Sequence, residues 1–235
     1  MVPLPRRVSD LLQERAARLP RIWSNDVLRT IAPHFGGEVI NVSGWKDSDK
    51  NGDHYRSYFS SASKYYLSNF AGHSGLADAA AITDFALDLE APLPAELKQR
   101  FDTVFNHTAL EHIFDTQTAF ANLCAMARDA VVLVVPFAQK MHYTESFGDY
   151  WRFTPQAMRR LFERQNMSVV YEAGNNTFNA SVYLIVVGVR DAAKWQGKLP
   201  AYRPLTQLAQ WIGKNPARSL ARRIGLVGAT ARDHE

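Results

Sequence analysis

The first sustained pattern along the chain is helical. Between residues 9 and 32 the apolar side chains Leu11, Leu12, Leu19, Ile22, Trp23, Val27, Leu28 and Ile31 recur among arginines and Glu14. That spacing predicts one or two amphipathic helices packed on a core. Gly36 and Gly37 end the pattern, and short β-rich runs then alternate with helical or irregular stretches. The runs cover residues 38–42, 65–70, a weak 80–86, 101–105 and 130–135. They read as strands buried on both faces, as in a parallel sheet. Asp115 can cap a helix whose apolar positions continue to Ala127. Thr154-Pro155 supplies a second cap, with proline at the first helical position, for a helix carrying Met158, Leu161 and Phe162. Residues 167–172 and 182–189, separated by the turn-rich Gly174-Asn175-Asn176, predict a closing antiparallel pair. Beyond them, Pro200, Pro204, Gly213 and Pro216 punctuate a segment with room for one short amphipathic helix around residues 205–212.

Composition adds bounds to this alternating α/β order. A chain of 235 residues with 46% hydrophobic and 21% charged residues can bury one substantial core. Its longest purely apolar run, residues 130–136, is far short of the roughly 20 residues that span a bilayer, and the first residues lack a secretion-signal pattern. A cytoplasmic location is expected. The single cysteine, Cys124, lies in a helix-like run and reads as a buried, inert thiol, so neither a zinc site nor a cysteine nucleophile is expected. The net charge of +4 is uneven: residues 31–189 carry 12 Lys/Arg against 17 Asp/Glu, and residues 190–235 carry 9 against 3. Basicity therefore belongs to the ends. A basic tail can touch nucleic acid, anionic lipid or an acidic substrate, and a solvated extension is the plainer reading. Nucleic acid is not expected as a partner, whereas peripheral membrane contact through the tail stays open.

In an open parallel sheet, ligands bind beyond the carboxyl ends of the strands, near the point where strand order reverses. Those positions are polar in this chain. Asn41-Val42-Ser43-Gly44-Trp45 follows the first strand, Ser68-Asn69 the second, Asp88-Leu89-Glu90 the third and Asn106-His107-Thr108 the fourth. Together they could hydrogen-bond a nucleoside and an amino-acid moiety.

The stretch Phe101-Asp102-Thr103-Val104-Phe105, followed by Ala109-Leu110-Glu111-His112-Ile113, resembles the class I S-adenosylmethionine-dependent methyltransferases of the type-11-like kind. The likeness extends from Asp88 to Phe162. It includes Asp149-Tyr150-Trp151-Arg152-Phe153-Thr154-Pro155, which looks like the substrate-side segment of methyltransferases associated with glycan biosynthesis. The resemblance implies a Rossmann-like, doubly wound seven-stranded sheet, mostly parallel with one antiparallel strand. It divides the chain into an N-terminal helical segment (1–35), a methyltransferase-like domain (36–190) and a basic extension (191–235). S-adenosyl-L-methionine would be the cofactor, held by Asn41, Ser43, Gly44, Asn69, Asp88, Leu89, Asn106 and His107. The acceptor would be a small molecule, sugar or glycan precursor, methylated at oxygen or nitrogen.

The chain departs from the family at two places: the first-strand acid and glycine-rich turn are replaced by Asn-Val-Ser-Gly-Trp-Lys, and the second-strand acid by Asn69. An inactive binding module in a glycan or envelope assembly complex is therefore the competing expectation. His112 and His142 are the candidate catalytic bases, because an unperturbed imidazole titrates near neutrality. Tyr143, Tyr150 and Arg152 are candidate substrate contacts. Residues 45–53 superficially resemble a calcium loop, but the twelfth position from Asp47 is Tyr58 instead of glutamate, so no metal is expected there. Tyr55, Arg56 and Tyr58 could instead close the cofactor side.

Overall fold

The protein is described by a computed structural model covering residues 8–49, 51–70, 82–144, 147–178 and 180–212, with side chains from residue 18 onward. Helix α1 (Val8–Ile31) is one continuous helix that contains Pro20. Then follow β1 (Gly37–Val42), a one-turn α2 (Tyr55–Tyr58), β2 (Ala62–Asn69), β3 (Phe85–Ala86) and β4 (Phe101–His107). Helix α3 (Thr116–Met126), β5 (Ala127–Ala138), α4 (Pro155–Arg164), β6 (Ser168–Gly174) and β7 (Val182–Val189) complete the order. The seven strands form one sheet in the order β3-β2-β1-β4-β5-β7-β6. All pairings are parallel except those of β7, which runs antiparallel to both β5 and β6. The Rossmann-like sheet with one antiparallel strand is thus observed.

Period-two alternation explains why both faces are dry. Val131, Leu133 and Val135 of β5, with Leu184 and Val186 of β7, face one apolar layer that includes Phe120 and Leu123 of α3 and Met158 and Phe162 of α4. Val132, Val134, Ile185 and Val187 face the opposite layer, with Leu28 and Ile31 of α1, Phe35 and Trp195. Close packing reaches the backbone at Gly188, where a β-carbon would lie 2.2 Å from Phe162 Cδ1. The caps are as expected: the Asp115 side chain accepts from Thr118 N at 3.1 Å, and Thr154 accepts from Ala157 N at 3.1 Å.

Three elements differ from expectation. The weak third strand shrinks to two residues within the described part of 80–86, because the Asp84 carboxylate accepts from Leu67 N at 2.8 Å and stands in for a strand carbonyl. The helix expected around residues 205–212 does not form. Leu205 N donates to Glu172 Oε2 at 2.9 Å and Ala209 sits at φ 51°, a left-handed conformation that no right-handed helix accommodates. The extension from 191 onward also contributes to the core through Trp195 and Leu199, and Leu205 packs against the α3–α4 layer. The remainder of the basic tail, residues 213–235, lies outside the described residues, as do residues 1–7.

Candidate cofactor and acceptor site

The parallel register sets the site. Val42 pairs with Ser68 on one side and Asn106 on the other, so the ends of β2, β1 and β4 form one row. Three buried polar atoms at these strand ends have no hydrogen-bond partner: Ser68 Oγ and Asn106 Oδ1, which share the Val42 face, and Asn41 Oδ1, one position earlier and in register with Phe105 on the other face. Buried polar groups are ordinarily paired, so unpaired acceptors at three adjacent strand ends mark this edge as one that a ligand can complete. Asn106 itself is fixed by donating Nδ2 to Val42 O at 2.8 Å.

The loop after β1 folds back on the row without the expected glycines. Ser43 and Trp45 adopt φ 56° and 54°, and Asp47 follows at 59°, all left-handed positions that favour glycine. Gly44 does the steric work: a β-carbon there would lie 2.4 Å from Asn41 Nδ2 and 2.5 Å from Leu67 Cδ1. Asp47 anchors the loop. Its buried carboxylate accepts from Asn41 Nδ2 (2.8 Å), Tyr65 OH (2.7 Å) and Arg56 N (3.0 Å). Asp49 is buried beside it, accepting from Tyr58 OH at 2.6 Å and pairing with Arg29 at 3.1 Å. Burial works against the charge of Asp49, yet its hydrogen bonds hold its carboxyl below the usual range. Tyr55 and Tyr58 are thus core residues that support the loop. Among the described residues no cluster of metal-binding type occurs.

The other candidates on this side divide. Asn69 is occupied: its Oδ1 accepts from Trp45 N (2.7 Å), and its Nδ2 donates to Trp45 O (3.0 Å) and Thr83 Oγ1 (2.8 Å). Asp88 is exposed at the end of β3 and accepts from Glu90 N at 2.9 Å. Leu89 is buried, with its carbonyl accepting from Asn122 at 2.9 Å. His107 sits away from the row, on the α1 face, among Tyr55, Phe105 and Tyr183. Its Nε2 lies 3.2 Å from Ser24 Oγ, whose own hydrogen goes to Arg21 O, so the imidazole is the donor there.

These residues fit S-adenosylmethionine in kind. The cofactor's ammonium, ribose hydroxyls and adenine amine are donors, and the row offers unsatisfied carbonyl oxygens with an exposed carboxylate at the next strand end. The fit lacks one family feature, since the Asn69 Oδ1 acceptor at the second strand end is already engaged by Trp45 N.

Beyond β4 a second group gathers around the 3-10 turn Leu110–His112. Glu111 is fully buried, its carbonyl accepting from Tyr150 N at 2.8 Å and its Oε2 unpartnered. Desolvation pushes its carboxyl up to about 8. His112 Nδ1 bonds Gly148 O, a group that only accepts, so Nδ1 carries the proton and Nε2 keeps a lone pair, 3.8 Å from Glu111 Oε1. Burial lowers the basicity of His112 although the Gly148 carbonyl opposes it. His142 stacks edge-on to His112 at 4.9 Å, and its backbone N–H donates to Asp149 Oδ2 at 2.9 Å. Arg152 grips Asp149 with two bonds of 2.6 and 2.7 Å, which hold that carboxyl down to about 2. Arg152 is therefore tied to Asp149. Tyr143 and Tyr150 are exposed, Tyr150 meeting the exposed Phe114 edge-on at 5.4 Å with half-exposed Trp151 alongside.

The structure thus brings together His112, His142 and Arg152, and adds residues that sequence reasoning did not single out. Arg21 reaches from α1 to Thr108 Oγ1 at 3.4 Å, and Phe114 joins the exposed rings. Neither carries a recognisable spacing. Arg21 is one of several arginines on α1, and only the docking of that helix selects it.

No protein-family model and no curated protein matches the chain. Solved structures do. The magnesium protoporphyrin IX methyltransferase of Synechocystis, bound to S-adenosylhomocysteine, is 13% identical, with a TM-score of 0.51 over 80% of this chain and 90% of that one. The 1,6-didemethyltoxoflavin N1-methyltransferase of Burkholderia thailandensis, with its substrate and S-adenosylhomocysteine, gives 13%, 0.51, 80% and 92%. An S-adenosylmethionine-dependent methyltransferase of Mesorhizobium loti gives 14%, 0.50, 72% and 98%. By this structural similarity, the chain has the fold of the class I S-adenosylmethionine-dependent methyltransferases.

Proposed function

We propose that this protein transfers the methyl group of S-adenosylmethionine to an oxygen or nitrogen of a small-molecule acceptor. The observation that carries this reading is the row of unpartnered acceptors, Asn41 Oδ1, Ser68 Oγ and Asn106 Oδ1, at the ends of three adjacent strands. Structural neighbours with S-adenosylhomocysteine bound support the cofactor's identity. When bound, the cofactor supplies an electrophilic methyl on sulfonium. The chain's residues would do the rest: Asn41 and Asn106 accept from the cofactor's donors, Asp88 meets the adenine side, and Gly44 lets the loop backbone come close. Such a transfer is an in-line displacement in which positioning supplies most of the rate.

The acceptor side favours a hydroxylated ring compound such as a sugar or glycan precursor. Tyr150, Trp151 and Phe114 present apolar faces beside the polar His142, Asp149 and Arg152. This is the combination a sugar ring meets, with apolar face against aromatic and hydroxyls on charged groups. Calorimetry with S-adenosylmethionine and S-adenosylhomocysteine tests the cofactor, and mass spectrometry after incubation with methyl-labelled cofactor and a hexose panel tests the acceptor. Binding in the micromolar range with a labelled hexose product is expected. A folded sample that binds neither compound overturns the reading.

A second reading rests on Asn69 and Trp45. Their mutual hydrogen bonds occupy the family's ribose-reading position, and this favours a methyltransferase-shaped binding module without catalysis. Asn69→Asp separates the two: gained cofactor affinity in the variant, against none in the parent, supports the module.

A further inference from the structure

The methyl-transfer reading leaves open what removes the acceptor's proton, and Glu111 is the buried carboxyl with an unpartnered oxygen next to the strand-end row. It sits in the turn that follows β4, directly beyond the strand whose end carries Asn106. Its main chain is held from across the site by Tyr150 N and Trp151 N, at 2.8 and 3.3 Å. The carboxyl is fully buried, with one oxygen, Oε2, bonded to nothing in the protein. The other oxygen faces His112 Nε2 across 3.8 Å. That gap is too long for a direct hydrogen bond, and both atoms are acceptors, so the single proton of an approaching hydroxyl can go to only one of them. His112 cannot turn away, because its Nδ1–H is committed to the Gly148 carbonyl.

We propose that Glu111 is the general base for this site, with His112 as the fixed wall beside it, and that the acceptor is a hydroxyl rather than an amine. In the step, the acceptor O–H bond breaks with its electron pair staying on oxygen. Oxygen bonds the methyl carbon, the carbon–sulfur bond breaks with its pair going to sulfur, and the proton passes to the Glu111 carboxylate. Burial, which outweighs the Glu111 backbone N–H and the two arginine charges, makes the product, a neutral carboxylic acid, the favoured form up to about pH 8. A base that titrates near the working pH is well matched to such a transfer.

The surroundings set both the charge preference and the pH response. Arg21 from α1 and Arg152 from the segment before α4 act on Glu111 as positive charges, Asp149 as a negative one, and Tyr183 of β7 and His112 complete the ring. His142 lies behind His112. Arg21 has no ion-pair partner among the described residues. With Arg152 offset by Asp149, the Arg21 guanidinium is the charge left over near Glu111, and it disfavours an ammonium acceptor and tolerates a neutral or anionic hydroxyl compound.

The test reads Glu111 itself. In protein carrying 13C-labelled glutamate side chains, with S-adenosylhomocysteine present, one carboxyl resonance should titrate near pH 8 and vanish in Glu111→Gln. Adding methyl glucoside or glucuronate, as hexose hydroxyl probes, should move that resonance, and benzylamine should not. With methyl-labelled cofactor, transfer to the hydroxyl probes should rise about tenfold per pH unit up to pH 8. In Glu111→Gln it should fall about 100-fold, with S-adenosylhomocysteine affinity unchanged. Glutamates that all titrate below pH 6, no response to either hydroxyl probe, or the same pH limb in Glu111→Gln would each overturn the role. The role rests on the methyl-transfer reading, and the two fail differently. Loss of cofactor binding by the parent protein removes both, whereas intact binding with an unresponsive Glu111 removes this one alone.

Discussion

The two halves of the strand-end row use their polar groups in opposite ways. Around β1 and β2, carboxylates and amides bind each other: Asp47 holds Asn41, Tyr65 and Arg56, Asn69 closes on Trp45, and Asp49 is enclosed by Tyr58 and Arg29. What is left over is three neutral oxygens. Beyond β4 the titratable groups outnumber their partners, and Glu111 keeps a free oxygen in a dry setting beside a histidine with an open lone pair. A half built from satisfied charges is rigid and suits holding a constant ligand. A half with unsatisfied, perturbed groups suits proton transfer.

The largest effect should come from unlocking the first half. Asp47→Ala leaves the Asn41 amide, the Tyr65 hydroxyl and the Arg56 N–H without an acceptor, and should cost about 3–9 kcal/mol at about 1–3 per group. Thermal unfolding measures the cost, and calorimetry should show S-adenosylhomocysteine binding abolished. Unchanged binding would mean that this loop does not shape the cofactor half. Next comes the pH dependence of Glu111. Its folded value of about 8 lies above the unfolded value of roughly 4.3, so the folded state binds more protons between those values. Stability from this group is therefore full at low pH and falls as pH rises toward 8. Glu111→Gln should flatten that decline and unfold several degrees higher than the parent at pH 8, with little difference at pH 4. Equal slopes would remove the contrast between the halves.

Smaller is the effect of the Asp149–Arg152 pair, whose sign is opposite. Asp149 is held down to about 2, below its unfolded range, so its stabilisation is present above roughly pH 4 and is lost as pH falls through 2. Asp149→Asn should cost about 1–3 kcal/mol at neutral pH and nothing at the acid end, as denaturant titrations at both values would show. Smallest is Ser43→Gly. Relieving a left-handed serine should change stability by less than about 1 kcal/mol, upward. A marked loss instead would show that the Ser43 side chain, and not only the backbone, is needed in the loop.

Much of the site was readable because it lies at strand ends. Asn41, Ser68, Asp88 and Asn106 all follow apolar runs in the sequence, and parallel register alone places such positions along one edge. Asn69 and His107 were equally placed by that rule, yet one is bonded to Trp45 and the other packs on the α1 face. Period-two alternation decides which face a side chain takes, and a one-residue difference at a strand end reverses it.

The sequence alone determined the order of strands and helices, the caps at Asp115 and Thr154, and the two-sided burial of β5 and β7, because these follow from local spacing and from residue types that act within a few positions. Only the tertiary structure decided that residues 205–212 stay out of a helix, that Arg21 of α1 reaches Thr108, and that Glu111 is dry while Asp149 is neutralised. Each of those depends on groups tens of residues away. Proton affinity and conformational choice respond to the local dielectric and to long-range partners, which no window of the sequence contains.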